Sequence, residues 1–354
     1  MQSSDAYVVA LGVARALDAD TDPLTDRRAG IDGKRALITG GVGFIGSSIA
    51  RELCRQGAKV TIVDAMLPGY GGNPFNLDGF RDGVELVLGD IRDSELMARL
   101  VADQDYVFHC AAQVDYTLST AEPILDQDIN SKGTLVLLEA ARKHGPEAKI
   151  VFASSRLIYG KIGYIPVDEG HAQRPLNIYG VHKLAAESYL RIYASVYGLD
   201  TVTLRIPNPY GPRGQMKHSR YGLLNWLIRQ VIDGETIHIF GDGQQKRDYV
   251  FIDDVVDAFI CAARSAVERG DVYNIGSNAG CSLEEMVETV ISVAGNGSKT
   301  HVPWPEDYEA NETGDYVANT TKIFAATGWS PKVALTEGVR RTYEYYLNHR
   351  AHYW

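Results

Sequence analysis

The amino-acid sequence predicts an α/β fold, with a doubly wound parallel sheet followed by a smaller C-terminal lobe. The first observation is the alternation of short β-rich runs with helical segments between residues 35 and 206. Such an alternation is typical of a parallel sheet that helices cover on both faces. The second observation is a glycine-rich turn between the first strand and the first helix. The third is a change of pattern after residue 207, where prolines and glycines cluster and the elements become shorter.

The individual elements are predicted from the spacing of apolar side chains. Short apolar runs rich in β-branched residues are typical of buried strands, whereas longer segments with helical periodicity predict helices. Strands are predicted at residues 36–39, 59–63, 84–88, 106–109, 149–153, 201–206 and 272–275. Helices are predicted at residues 44–56, 123–144, 177–197, 223–233, 253–265, 282–294 and 335–348. A further short helix is a candidate at residues 7–17.

Composition argues against several classes of protein. The formal net charge of -10 argues against nucleic acid as the main partner, because phosphate binding needs a basic surface. No apolar run reaches the roughly 18 residues that a membrane helix needs, so no membrane association is expected. The four cysteines, Cys54, Cys110, Cys261 and Cys281, form no CxxC pair, so neither a metal site nor a disulfide framework is predicted. We expect a cytoplasmic protein with reduced thiols.

The glycine-rich turn has the spacing expected of a dinucleotide site. Gly40, Gly43 and Gly46 follow a predicted strand and open a predicted helix. Glycines let the backbone approach a pyrophosphate, which the N–H groups and positive dipole of the helix N-terminus attract. Asp64 ends the second strand, where a carboxylate accepts hydrogen bonds from ribose hydroxyls and repels a 2′-phosphate. The pattern predicts a Rossmann site that takes NAD in preference to NADP; the alternative is a glycine turn that serves packing alone.

A second cluster of residues predicts proton transfer to or from an alcohol. Tyr179 and Lys183 are four residues apart and therefore share one face of a predicted helix. An ammonium near a phenol lowers the phenol pKa, so a phenolate can take the proton of an alcohol as hydride leaves the same carbon. Ser155 closes a predicted strand and can donate to the reacting oxygen. The alternatives are a surface tyrosine beside a solvated lysine, and a serine that caps the strand end.

Eight segments, read in chain order, carry a resemblance to a known family. They are TGGVGFIG at 39–46, GDIRD at 89–93, HCAAQ at 109–113, NSKGT at 130–134, SSRLIYG at 154–160, YGVHK at 179–183, RIPNPYGPRG at 205–214 and RDYVFIDDV at 247–255. Together they resemble the extended short-chain dehydrogenase/reductase family, in its nucleotide-sugar epimerase and dehydratase branch. The resemblance extends from about residue 35 to about residue 347, nearly the whole chain after its N-terminal extension.

The resemblance implies a role for each matching position. The catalytic residues would be Ser155, Tyr179 and Lys183. NAD would be held by Gly40, Gly43, Phe44, Ile45, Gly46, Asp64, Asp90, Ile91, Ala111, Ala112, Gln113, Asn130, Tyr179 and Lys183. The substrate would meet Ser119, Ser155, Asn208, Arg247 and Tyr316, with Arg247 near a diphosphate and Tyr316 limiting the size of the sugar. For Asn130, Asn208 and Arg247 the alternative is a hydrogen bond that only supports the fold.

The resemblance also implies how the chain is organised. Residues 1–32 form an N-terminal extension, residues 33–206 an NAD-binding Rossmann domain, and residues 207–354 mainly a substrate-binding lobe. Strands and helices from 237–280 are candidates to rejoin the main sheet. The implied partners are a nucleotide-diphosphate sugar and a second copy of the chain, which would form a homodimer through the helices at 123–144 and 177–197.

The type of reaction is inferred from the residues that follow Ser155. Dehydratases of the family have an Asp-Glu pair there, and decarboxylases a glutamate, whereas this chain has Arg156 and Leu157. The resemblance therefore implies an NAD-dependent epimerase that oxidises a nucleotide-activated sugar at C4 to a ketose and reduces it again on the other face. One alternative is a reductase, dehydrogenase or 2-epimerase of the same family. The other is a non-catalytic, nucleotide-binding regulatory protein.

One segment departs from the family pattern. Galactose-type epimerases have an arginine for the substrate diphosphate shortly before an acid–glycine–acid stretch, and the corresponding residues 308–315 contain no base. A carboxylate in place of that arginine repels a diphosphate. Arg213, Lys217 or Arg220 would have to compensate.

Overall fold

Strands and helices alternate between residues 35 and 206. The structure, a computed structural model, describes residues 30–304 and 312–354, so the helix predicted at 7–17 lies outside the described residues. The strands of the main sheet are β1 (Arg35–Thr39), β2 (Lys59–Asp64), β3 (Val84–Leu88), β4 (Tyr106–His109), β5 (Lys149–Ser155), β6 (Thr201–Ile206) and β10 (Asp271–Asn274). All pairs in this sheet are parallel, in the order β10-β6-β5-β4-β1-β2-β3. The predicted doubly wound fold is confirmed.

The order of the strands places a crevice above the middle of the sheet. Chain order reverses between β1 and β4, which are neighbours, and Thr39 at the end of β1 pairs with both Val63 and His109. Because all these strands run in the same direction, their carboxyl ends meet at one edge. Ligands of doubly wound sheets bind at this edge, at the point where the strand order reverses.

Helices cover both faces of the sheet. The helices of this part are α1 (Phe44–Arg55), α2 (Ser94–Val101), α5 (Gly133–His144), α6 (Ile178–Tyr197) and α8 (Ile252–Arg264). Leu37 and Ile38 of β1 are both fully buried but belong to two separate apolar clusters. Successive side chains of a strand point to opposite faces, so both faces of β1 are packed. Each such side chain contributes roughly 1.5–3 kcal/mol when it leaves water.

The helix predicted at 123–144 is interrupted. The structure has α4 (Pro123–Asp126), a π-helical turn (Gln127–Lys132) and then α5. Single π turns inside α-helices frequently occur at functional sites. Here the turn places Ile129 in the wall of the cavity and buries Asn130, whose Nδ2 donates to the carbonyl oxygen of Gln113 at 2.8 Å.

The second half of the chain builds a smaller lobe and returns part of its length to the main sheet. Its other elements are β7 (Asn208–Tyr210), α7 (Leu223–Asp233), β8 (Thr236–Phe240), β9 (Lys246–Phe251), β11 (Gly280–Ser282), α9 (Leu283–Ala294), β12 (Ser298–Val302), α10 (Thr321–Thr327) and α11 (Leu335–His349). The short helix α3 (Tyr116–Ala121) lies earlier in the chain, between β4 and α4. Strands β11, β9 and β7 form one small sheet, and β12 pairs with β8. Strand β10 pairs with β6 at the edge of the main sheet. None of the helices within the described ranges has the length and apolarity to cross a membrane.

A buried ion pair links α6 to β6, and removing its acid should destabilise the fold. Nη2 of Arg205 lies 2.7 Å from Oε2 of Glu187, and both side chains are at most 4% exposed. Replacement of Glu187 by alanine leaves a buried guanidinium without its carboxylate. We expect the free energy of unfolding to fall by about 3–5 kcal/mol, measured by urea denaturation.

The matched control for this prediction is Glu344→Ala, which removes an exposed partner of Arg340. Exposed pairs contribute about 0–1 kcal/mol. Equal losses of stability in the two variants would contradict a structural role for the buried pair.

Candidate active site

A cavity of about 710 Å³ opens at the carboxyl ends of the central strands, between the sheet and the C-terminal lobe. Most of the residues predicted from the sequence line it. They are Gly40, Gly43, Phe44, Ile45, Gly46, Asp64, Asp90, Ile91, Ala111, Ala112, Ser155, Tyr179, Lys183, Asn208 and Arg247. The cavity therefore joins the predicted dinucleotide site to the predicted catalytic residues.

Two glycines of the turn, Gly40 and Gly46, leave no room for a side chain. Gly40 has φ +67°, in the left-handed region, and a Cβ there would lie 2.7 Å from the backbone nitrogen of Ala111. A Cβ on Gly46 would lie 2.8 Å from Cα of Gly41 and even closer to the carbonyl oxygen of Gly40. These approaches bring the end of β1 against the first turn of α1, so the free N–H groups of that helix end face the cavity.

Two carboxylates lie at the strand ends beside this turn. Oδ2 of Asp64 accepts from the N–H of Val42 at 3.0 Å, and Oδ1 accepts from the N–H of Met66 at 2.9 Å. Asp90 pairs with Arg92 at 2.6 Å, and this partner lowers the pKa of the Asp90 carboxyl. A fixed carboxylate at the end of β2, next to a glycine cradle, fits the ribose and pyrophosphate of NAD. Gly40, Gly43, Gly46 and Asp64 would hold that part of the cofactor.

The structure brings the three predicted catalytic residues to one wall of the cavity. Ser155 ends β5, and its Oγ accepts from the N–H of Leu157 at 3.2 Å. The side chain of Asn177 accepts from the N–H of Gly180 at 2.8 Å and so fixes the first turn of α6, which carries Tyr179. Nζ of Lys183 donates to the carbonyl oxygen of Ala153 at 3.0 Å and lies 5.9 Å from the ring centre of Tyr179.

Burial controls the ionisation of these groups. It raises the pKa of the Tyr179 phenol, the carboxylate of Asp126 raises it further, and hydrogen bonding with Ser155 opposes the rise. Burial lowers the pKa of the Lys183 ammonium to about 8. The sequence predicts a lowered pKa for this phenol. With the protein groups alone and no bound cofactor the prediction is wrong, because desolvation of the phenol outweighs the effect of its neighbours.

Two predicted cofactor ligands lie beneath the cavity and do not line it. Nε2 of Gln113 donates to the carbonyl oxygen of Asp115 at 2.7 Å and to Oδ2 of Asp126 at 2.8 Å. Asn130 donates to the backbone of Gln113, as described above, and both side chains are 1% exposed. These hydrogen bonds support the loop after β4, whereas Oδ1 of Asn130 is buried without a partner among the described residues. Contact of Gln113 and Asn130 with the cofactor stays a prediction.

Two predicted substrate residues are also buried away from the lining. Ser119 is fully buried and its Oγ accepts from the backbone N–H of Tyr179 at 3.1 Å, so it positions the catalytic helix. Tyr316 is fully buried, and its ring lies against the guanidinium of Arg156. The structure therefore places both side chains behind the lining, and their contact with the substrate stays a prediction.

The predicted substrate side contains several cations. Arg247 lines the cavity, and its Nη2 donates to both carboxylate oxygens of Glu312, at 2.6 and 2.7 Å. Nδ2 of Asn208 donates to the carbonyl oxygen of Asp248 at 3.0 Å. Arg220 lines the cavity and pairs with Asp115 at 2.9 Å.

The other two candidates for a compensating base are placed elsewhere. The guanidinium of Arg213 lies 5.7 Å from the ring centre of Tyr345, and neither Arg213 nor Lys217 is among the described lining residues, whereas Arg220 is. Arg220 is therefore the base that the structure favours for the missing arginine.

Several residues of the cavity were not predicted as site residues. In the sequence, Arg156 marks only a departure from the dehydratase pattern, although its place directly after Ser155 points to the site. The unpredicted lining residues include four aromatic side chains, Tyr249, Trp226, Phe240 and Trp304. They come from separate segments of the second half of the chain, so no local spacing connected them.

The fold and the glycine turn define a Rossmann-type enzyme that uses a dinucleotide. The sequence model of the NAD dependent epimerase/dehydratase family matches residues 36–276, and the chain belongs to this family. NAD is accordingly its cofactor.

Proteins of known sequence and structure agree with this assignment. The chain is 33% identical over 318 residues to the UDP-glucose 4-epimerase of Mycolicibacterium smegmatis, which covers 89% of this chain and 99% of the relative. It is 33% identical over 314 residues to a putative UDP-glucose 4-epimerase of Methanocaldococcus jannaschii, covering 88% and 98%. The solved structure of the UDP-glucose 4-epimerase of Thermotoga maritima with UDP-glucose superposes with a TM-score of 0.82 at 33% identity, covering 89% of this chain and 99% of that one.

Proposed function

We propose that the chain is an NAD-dependent epimerase that inverts C4 of the sugar in a nucleotide-diphosphate sugar. The observation that carries this proposal is that Ser155, Tyr179 and Lys183 line the same cavity as the glycine turn. A sugar carbinol held there would have its hydroxyl at the phenol and its hydrogen toward the cofactor. Relatives of similar length that are named UDP-glucose 4-epimerase support the same reaction.

The residues of the chain would perform the proton chemistry. Tyr179 Oη takes the proton from the C4 hydroxyl and later returns it, and Ser155 Oγ donates to the same oxygen. Lys183, held by the carbonyl oxygen of Ala153, keeps its positive charge near the phenol. When bound, NAD supplies the hydride chemistry, and the positive charge of its oxidised ring favours the phenolate. The resulting ketose turns within the cavity, so that reduction on the other face inverts the carbon.

The side chains near Ser155 favour epimerisation over elimination of water. Elimination needs an acid and a base beside the sugar, in addition to the tyrosine. The lining carboxylates are Asp64 and Asp90 at the glycine-turn end, and Glu312, which is tied to Arg247. Among the described residues of the lining, no carboxylate follows Ser155, where Arg156 and Leu157 stand. Oxidation followed by reduction is the reaction that these groups can complete.

The far end of the cavity suits a nucleoside diphosphate. Arg220 and Arg247 present guanidinium groups, which bind phosphate oxygens in pairs. Trp226, Phe240 and Trp304 add an aromatic wall, with the rings of Phe240 and Trp304 5.8 Å apart. Aromatic faces stack on nucleobases, so we assign the base to this wall.

The proposal is tested by incubating the purified protein with UDP-glucose and with UDP-galactose, and following the sugar protons by ¹H NMR. We expect each nucleotide sugar to yield the other, with no net change in NADH absorbance at 340 nm. Mass spectrometry of the denatured protein should detect released NAD. A panel with other nucleotides and other sugars extends the same measurement if both of these substrates are inert.

The same experiment separates the alternatives. Continuous formation or loss of NADH would identify a dehydrogenase or reductase. Inversion at C2 would identify a 2-epimerase of the family. Bound NAD with no turnover of any member of the panel would favour a regulatory nucleotide-binding protein.

We also propose that the chain forms a homodimer in the cytoplasm. Val181, Ile192 and Val196 share one exposed face of α6. Ile124, on the neighbouring helix α4, is 70% exposed. An exposed apolar face of this kind is typical of a protein interface.

The four cysteines are free thiols, which a reducing compartment preserves. A mass of one chain in light scattering would contradict the homodimer. Recovery of the protein outside the cytoplasm in cell fractionation would contradict the cytoplasmic location.

A further inference from the structure

Arg156 brings a cation into the sugar end of the cavity. It follows Ser155 directly in the chain and lines the same cavity. Nη1 donates to Oγ1 of Thr313 at 2.9 Å, and Cζ lies 5.4 Å from the ring centre of Tyr316. Thr313 and Tyr316 therefore hold the guanidinium in one orientation.

The Nε group of this guanidinium is unsatisfied. Nε is buried and has no hydrogen-bond partner among the described residues. Glu312, the carboxylate that lines this part of the cavity, pairs with Arg247 instead. The Nε–H and the adjacent Nη2–H of an arginine point in parallel and match the two oxygens of a carboxylate. A buried polar group without a partner lowers the stability of the folded state. An acceptor on the substrate would satisfy the Nε–H group.

The electrostatics of the site agree with an anionic ligand. Burial lowers the pKa of the Arg156 guanidinium to about 10, and Arg247 contributes in the same direction. The group is still a cation at neutral pH, beside a second cation. A bound anion would relieve both the desolvation of Arg156 and its repulsion from Arg247.

We infer that the Nε edge of Arg156 binds a carboxylate on the sugar, so that the enzyme prefers a nucleotide-activated uronic acid to its neutral counterpart. This inference rests on the proposed epimerase function. The sugar is the favoured source of the carboxylate because Arg156 is adjacent in sequence to Ser155, which contacts the reacting oxygen. The substrate diphosphate is the competing anion, and it would use Arg156 equally for every sugar.

The test compares UDP-glucuronate with UDP-glucose as substrates of the holoenzyme. The wild-type protein should show the higher kcat/KM with UDP-glucuronate. In Arg156→Leu the ratio of kcat/KM for UDP-glucuronate to that for UDP-glucose should fall by roughly 100-fold, because a buried charged hydrogen-bond pair is lost. In Arg156→Lys, which keeps the charge without the planar fork, the fall should be smaller.

The matched control is Arg220→Ala, which removes another arginine of the cavity, one that pairs with Asp115. This variant should lower kcat/KM for UDP-glucuronate and for UDP-glucose by similar factors, so the ratio of the two values should stay near that of the wild-type protein. A wild-type preference for UDP-glucose, or an unchanged ratio in Arg156→Leu, would overturn the inference. The second result would assign Arg156 to the diphosphate.

Calorimetry keeps the inference testable if the proposed function fails. If the wild-type protein binds NAD but converts neither substrate, epimerisation of these two sugars is refuted. Titration calorimetry with each nucleotide sugar would still measure which of the two binds more tightly. Tighter binding of UDP-glucuronate than of UDP-glucose, abolished in Arg156→Leu, would support the carboxylate site. Equal binding of the two by the wild-type protein would overturn it.

Discussion

Replacement of Tyr179 by phenylalanine should lower kcat for epimerisation by about 10³-fold, since a positioned general base typically contributes 10²–10⁴-fold. The phenol lies in the cavity wall at the end of β5 and is 7% exposed, so bulk water cannot readily take over its role. The change removes one oxygen and no packing surface. The variant should therefore keep its fold and its bound NAD, which circular dichroism and mass spectrometry can verify.

Of the described residues beside the phenol, neither Cys110 nor Lys183 can replace it as the base. Burial raises the pKa of the Cys110 thiol to about 12, so this lining residue stays protonated at neutral pH. The ammonium of Lys183 is held by the carbonyl oxygen of Ala153. Because burial raises the pKa of the Tyr179 phenol, wild-type kcat should rise with pH as the phenolate forms. The variant should lack this dependence.

Tyr189→Phe is the matched control for this prediction. It removes a hydroxyl from the same helix, where Tyr189 Oη lies 3.3 Å from Oγ of Ser131. Its kcat should stay close to that of the wild-type protein. If Tyr179→Phe kept more than a tenth of the wild-type kcat, another base would have to act and the mechanism proposed for this site would be refuted.

Elements whose residues interact locally could be predicted closely from the sequence. Strand β1 spans Arg35–Thr39 against a prediction of 36–39, and α6 spans Ile178–Tyr197 against 177–197. The glycine turn was predictable for the same reason, because three glycines and the following helix are contiguous in the chain. Strand β5 is longer than predicted and ends at Ser155, since its polar last residues are buried within the sheet.

Burial and contacts between distant segments could not be predicted in this way. The phenol of Tyr179 is four residues from Lys183, which suggested a lowered pKa, but the desolvation that raises the pKa comes from the whole surrounding fold. The contact between Arg156 and Thr313 joins residues 157 positions apart. The inaccessibility of Ser119 and Tyr316 likewise depends on elements that pack over them after folding.

Gly46→Ala should abolish the retention of NAD. The added Cβ would lie 2.8 Å from Cα of Gly41 and closer still to the carbonyl oxygen of Gly40. Both are backbone atoms, so the conflict cannot be relieved by turning a side chain, and the strand end must move away from α1. Such overpacking costs about 1–3 kcal/mol of stability. A displacement of about 1 Å at a positioning group can also cost roughly 100-fold in function.

The measurement is the molar ratio of NAD released on denaturation, together with the midpoint of urea unfolding with and without added NAD. Wild-type protein should release NAD and be stabilised by it, because a ligand that binds the folded state shifts the unfolding equilibrium. Gly46→Ala should do neither. Gly222→Ala is the matched control, since that glycine also lines the cavity, has extended backbone with φ 174°, and leaves open space where a Cβ would stand. Retention of NAD by Gly46→Ala at the wild-type ratio would show that the turn can open without loss of the cofactor. The close approach of β1 to α1 would then not be required for binding of the dinucleotide.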